Sequence, residues 1–287
     1  MDRDNSFWGE EWKENLENLQ EVNSLKGLER LVEDRDIILG LGELKKENPD
    51  LFKKIKFEVV PANKIKPDSQ DIKYALLVNT PAFFSLDPDN KNSTDPTSEP
   101  QPTVVISERE LKINREGRKV SIQAVAELFG LEAEDLSDRF MKLFILLHEV
   151  GHGVGYMNDY AAGLSPAEAS KKWSEDYWQQ LETLPLPGIM PSAANAIFED
   201  SFGEPDQFLK HCVVFLAKYR PKFITDREQY RKDFFARLNG KTLEDLLVEN
   251  EKAYRQLPHE HQADSFAADF MKAKRDVLGI KELEKND

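Results

Sequence analysis

Between Leu136 and about residue 155 the chain repeats apolar side chains three and four apart, at Phe140, Leu143, Phe144 and Leu147, and then sets His148 and His152 one turn apart on the same run. That spacing predicts an amphipathic helix, because residues i and i+4 of a helix project from one face. Any fold for this chain must bury the stripe and carry the two imidazoles to the rim of the core that the stripe enters. Gly151, Gly153 and Gly155 lie on the same turns. Lacking a Cβ, they leave space beside the histidines for an ion and an extended backbone.

Two imidazoles so placed can both reach one zinc ion at about 2.0–2.1 Å. Glu149, next to the first of them, points beside the metal and stands where a general base takes a proton from a water polarised by that metal. Hydrolysis of a peptide or protein substrate is the expected reaction. A catalytic zinc needs a third protein ligand, and the best-placed residue is Glu260, in Glu260-His261-Gln262-Ala263-Asp264-Ser265-Phe266-Ala267. Glu260 and Asp264 are again one turn apart, so one carboxylate can bind the metal while the other accepts the free ring N–H of a ligand histidine. Ala263 and Ala267 are small enough to let this second helix come close. Taken alone, the same segment reads as an acidic first turn favoured by the helix dipole.

H-E-x-x-H followed far downstream by E-x-x-A-D-x-F-A resembles the pattern of gluzincin-type metallopeptidases, both the soluble ImmA/IrrE family and the membrane-embedded HtpX and CAAX-protease group, and the lack of a membrane-spanning apolar run favours the soluble family. The resemblance implies Glu260 as third zinc ligand and a zincin-like fold, a small sheet with two metal-carrying helices. It covers the two motif helices and, loosely, the strands before them. The two motifs stand much farther apart here than is usual in the soluble family. By the same resemblance, Thr103–Ser107 is the strand along which an extended peptide would lie, with Pro102 tolerated at its start.

Two other readings compete. His148-Glu149-x-x-His152-x-x-Gly155-x-x-Asn158 has the metzincin frame, with Gly188-Ile189-Met190 as a Met-turn, but Asn158 is a poor zinc ligand and Asp159 is one residue out of register. Alternatively the site is a non-catalytic zinc-containing scaffold that binds or regulates a partner. By residue type, Tyr156, His211, His259 and His261 are all able to stabilise an oxyanion.

A formal net charge of −14, with no dense run of Lys and Arg, argues against a nucleic-acid partner. No apolar run approaches the roughly 20 residues that cross a bilayer, and Met1-Asp2-Arg3-Asp4-Asn5 lacks the features of a secretory signal. The expectation is a soluble, cytoplasmic protein without membrane contact. Cys212, the single cysteine, sits in an apolar helical pattern and reads as a buried structural thiol.

The predicted class is α+β, mostly helical. Residues 1–50 form an N-terminal helical extension (Trp8, Trp12, Leu16, Leu19, then Leu25, Leu28, Leu31), and 51–160 a zincin-like core with strands at 56–60, 74–78, 82–86 and 103–107. A polar loop at 87–101 and a helix at 121–129 complete that core. Residues 161–255 form a helical insertion with starts at Ser165, Thr225 and Thr242, and 256–287 a core helix running from Pro258 to about Lys274. Gly130, between two helices, faintly resembles the turn of a DNA-reading helix-turn-helix.

Overall fold

The computed structural model describes residues 11–20, 25–27, 30, 35–66, 77, 80–86, 101–108, 115 and 118–286. Trp8, Leu28, Leu31, the expected strand at 74–78 apart from Leu77, and the polar stretch 87–100 lie outside them. The class is α+β: a small mixed sheet and a large helical complement. The chain divides into two compact units, one of Met1–Ile113, Ala126–Lys171 and Gln262–Asp287, the other of Asn114–Val125 and Lys172–His261.

In the first unit, helices α1 (Glu11–Gln20), α2 (Arg35–Glu47) and the single turn α3 (Leu51–Lys54) accompany strands β1 (Leu25–Lys26), β2 (Lys56–Val60), β3 (Ala82–Ser85) and β4 (Thr103–Ser107). The sheet order is β1-β2-β4-β3, with β1, β2 and β4 parallel and β3 antiparallel to β4. Leu25 was expected in a helix. Instead it pairs with Phe57, and the chain then turns at Gly27, whose φ of 79° brings its Cα within a Cβ's reach of the Val59 carbonyl.

All five residues of β4 are buried, so the strand reads as a continuous Val/Ile run and not as an alternation. It has a partner on each side, which corrects its expected role as the strand that receives a peptide. Among the described residues the edge on that side is β3.

Two helices carry the histidine and carboxylate motifs. Helix α5 (Asp138–Asp159), which follows α4 (Lys119–Phe129), is started by Ser137, whose Oγ accepts the Phe140 N–H at 3.1 Å. Its stripe, Phe140, Leu143, Phe144 and Leu147, is at most 2 % exposed and packs on α2, β3 and β4. Leu143 lies so close to Gly40 that a Cβ there would meet its Cδ1 at 2.6 Å. Helix α4 stops at Gly130 (φ 67°), where the Gly130 N–H reaches Glu127 and the Leu131 N–H reaches Ala126. This is the left-handed helix stop that glycine favours, and it accounts for Gly130 without a DNA-reading turn.

The second unit contains α6 (Pro166–Glu182, shared with the first unit at its start), α7 (Pro191–Asp200), α8 (Pro205–Tyr219), α9 (Arg227–Leu238) and α10 (Leu243–Arg255). Its core gathers Ile189, Phe208, Cys212, Leu216 and Leu246, so Cys212 is the buried thiol expected, and burial pushes its pKa up. Ser165 with Glu168, and Thr242 with Asp245, form reciprocal caps. The cap of α9 is Asp226, one residue after the expected Thr225: Thr225 still has helical backbone angles, and extended Asp226 accepts the Gln229 N–H. The last long helix, α11 (Pro258–Ala273), is continuous through residue 261, where the division between units falls. Among the described residues no helix is long and apolar enough to cross a membrane.

Within the first unit α11 approaches α5 at Gly151, where an added Cβ would sit 2.8 Å from Ala263 Cα and 2.9 Å from its carbonyl oxygen. Backbone cannot yield as a side-chain tip can. Gly151→Ala is therefore expected to lower the unfolding free energy by about 1–3 kcal/mol in chemical denaturation. Gly130→Ala, which meets nothing within 4 Å, should cost about 1–2 kcal/mol through its backbone angle alone. A Gly151→Ala protein as stable as the parent would show that the two helices are not held that close.

Candidate metal centre

His148 and His152 lie 7 % and 9 % exposed on successive turns of α5, their rings 4.6 Å apart and nearly perpendicular. Asp264 Oδ1 is 2.8 Å from His148 Nδ1. Facing an ionised carboxylate, Nδ1 carries the ring proton and donates it, which leaves the lone pair of Nε2 available for a metal. Asp264 is itself buried, at 4 % exposure, as a residue fixed for this single purpose would be.

Glu260 precedes Asp264 by one turn of α11 and is only 1 % exposed. One ligand atom each from His148, His152 and Glu260 can be chosen so that all lie within 4.8 Å of one another, and no second such group occurs among the described residues. Two imidazole nitrogens and one carboxylate oxygen form a donor set suited to zinc, three protein ligands with a position to spare. A carboxylate so deeply buried is costly unless a cation or several donors face it. A divalent ion held by the two histidines meets that requirement, so the residues present fit the metal that the sequence implies.

Glu149 is half-buried beside the first histidine. Its Oε2 accepts the N–H of Phe84 at 2.7 Å. That N–H faces away from β4, at the sheet edge, so the backbone of β3 holds the expected base. The Phe84 ring lies 6.2 Å from that of His152 and 6.4 Å from that of Tyr156.

Asn158 and Asp159 are exposed at the end of α5, where Asp159 accepts a hydrogen bond from Gln262 at 3.2 Å. The metzincin register thus brings no ligand to the cluster. Met190 does come near: its Sδ is 3.4 Å from the Tyr177 hydroxyl. Of the residues suited by type to an oxyanion, Tyr156 is buried, and burial raises its phenol pKa. His211 is half-buried on α8, and His261 is exposed. His259 is stacked on Trp173 (5.2 Å, 2°) and Tyr177 (5.7 Å, 12°).

The sequence did not single out Tyr177 or Tyr254. The Tyr177 hydroxyl is 3.2 Å from that of Tyr254 and 3.4 Å from Glu260 Oε1. Burial, then the neighbouring carboxylate, holds the Tyr254 pKa well above the ordinary phenol range. The available signal was Trp173 and Tyr177 four apart on α6, a spacing indistinguishable from core packing.

Comparison with protein-family models, curated proteins and solved structures finds no match.

These positions rank the ligands. Measured by chelator competition, Glu260→Ala should lose most of the zinc affinity, and Asp264→Ala should weaken it by about 10–100-fold. Asn158→Ala and Asp159→Ala should leave it within about twofold of the parent, as expected for exposed residues outside the cluster. Loss of zinc in the 158 or 159 variants, with retention in Glu260→Ala, would overturn the assignment.

Proposed function

We propose that this chain is a zinc-dependent metallopeptidase of gluzincin type, with His148, His152 and Glu260 as ligands and Glu149 as general base. The observation that carries the reading is the meeting of those three ligand atoms within 4.8 Å, with Glu149 adjacent on the helix that supplies two of them. When bound, zinc acts as a Lewis acid that polarises water and the scissile carbonyl. The rest is done by the chain's own groups. Asp264 fixes the tautomer and orientation of His148. Glu149 removes a proton from the attacking water and returns it to the departing amine, while the Phe84 N–H keeps its carboxylate in place.

A peptide or protein substrate suits a metal site with a strand edge beside its general base, since an extended chain can align along β3. The alternative, a zinc site serving only as scaffold, is less well supported: structural zinc is usually closed by four protein ligands, and the cluster offers three. A lone buried thiol suits a reducing compartment, and we place the protein in the cytoplasm.

The test is Glu149→Gln, assayed on a broad peptide library with zinc content measured in parallel. Hydrolysis should fall by about 10²–10⁴-fold, the usual contribution of a general base, while zinc content stays at the parent level because Glu149 is not a ligand. A variant that cleaves at the parent rate would remove Glu149 from the mechanism. A parent that binds zinc but cleaves nothing would favour the scaffold.

A further inference from the structure

Glu260 ends in a carboxylate on three rotatable bonds, yet as a ligand it must present one oxygen at one place. Its neighbours within the second unit supply the restraint. The Tyr177 hydroxyl donates to Oε1 at 3.4 Å, and the Tyr254 hydroxyl lies 3.2 Å from that of Tyr177, where it can donate to the Tyr177 oxygen. Together they form a phenol clamp that ends on the carboxylate.

The clamp is itself held. Trp173, four residues before Tyr177 on α6, stacks on it at 5.2 Å and 12°, and His259, next to Glu260 on α11, stacks on both rings. The His259 N–H donates to Gln180 Oε1 at 3.3 Å. These contacts fix α6 in register with the first turn of α11, so the Tyr177 hydroxyl and Glu260 cannot drift apart independently. Tyr254 packs against Leu181, Leu184 and Leu257.

We propose that Tyr177 and Tyr254 are positioning residues for the third metal ligand, Tyr177 through its hydrogen bond to the Glu260 carboxylate and Tyr254 through its hydrogen bond to the Tyr177 hydroxyl. The proposal rests on the reading of His148, His152 and Glu260 as a zinc site. Neither tyrosine is assigned contact with substrate.

The experiment compares the parent with Tyr177→Phe, Tyr254→Phe, the double variant, Glu260→Ala and, as control, Tyr219→Phe, a ring 49 % exposed elsewhere in the second unit. Phe keeps each ring and deletes only the hydroxyl. Zinc affinity is read by chelator competition, and the visible spectrum of the cobalt-substituted protein at saturating metal reports ligand geometry in folded molecules. Each single variant should bind zinc about 10-fold more weakly and the double variant up to about 100-fold, the range found when groups that orient a ligand are removed. The cobalt bands should shift in all three and remain unchanged in Tyr219→Phe.

A double variant with parental affinity and a parental cobalt spectrum, while Glu260→Ala loses the metal, would overturn the clamp and leave the zinc site standing. A parent that binds no zinc, or a Glu260→Ala protein that binds it as tightly as the parent, would overturn the metal-centre reading and the clamp with it.

Discussion

Helix α11 can bring a carboxylate to the first histidine only because α5 offers it a surface without side chains at the crossing. Gly151 meets the backbone of Ala263, and Gly155 meets the Gln262 side chain, whose Oε1 would lie 2.5 Å from an added Cβ. Ala263 and Ala267, both fully buried, form the matching surface on α11. At ordinary interhelical distances of 8–10 Å, two helices with larger side chains there would hold Asp264 too far away for its 2.8 Å contact with His148. The small residues therefore serve the site through distance: they let groups from two helices meet.

That proximity concentrates negative charge. Glu260 and Asp264 are almost completely buried on α11, and Glu149 is half-buried on α5. Each carboxylate meets a different donor: Asp264 an imidazole nitrogen, Glu149 a strand-edge amide, Glu260 the Tyr177 phenol.

How far this could be seen in advance depended on the range of each interaction. Helix α5 was legible because its stripe and its histidine spacing are both local. The reciprocal caps at Ser165 and Thr242 were legible for the same reason. Strand β4 was legible as a strand but not as an interior one, since its neighbours on both sides come from elsewhere in the chain. The two-residue β1 lies below what a periodic pattern can register. Glu260 was reached through its pairing with Asp264 on one helix. Tyr177 and Tyr254, 83 residues and one short turn away from it respectively, are joined to it only by the packing of three helices. Nothing in either local sequence distinguishes a phenol on a carboxylate from a phenol in a core.

A phenol donating to Glu260 suits the ligand role proposed for that carboxylate. A cationic partner would neutralise the ligand and compete with the metal for it. A neutral hydroxyl orients the oxygen and leaves its charge available. Arg220 lies near the tyrosine pair: its charge acts on Tyr177 and Tyr254, while its guanidinium donates to the Gly188 carbonyl and lies over the Trp178 ring at 4.8 Å. Burial lowers its pKa from the free value, but a guanidinium remains charged in proteins. From that position it favours the oxygen ends of the two phenols without contacting the carboxylate itself. On the proposed reading, an orienting phenol with a cation behind it leaves the charge of the carboxylate to the metal.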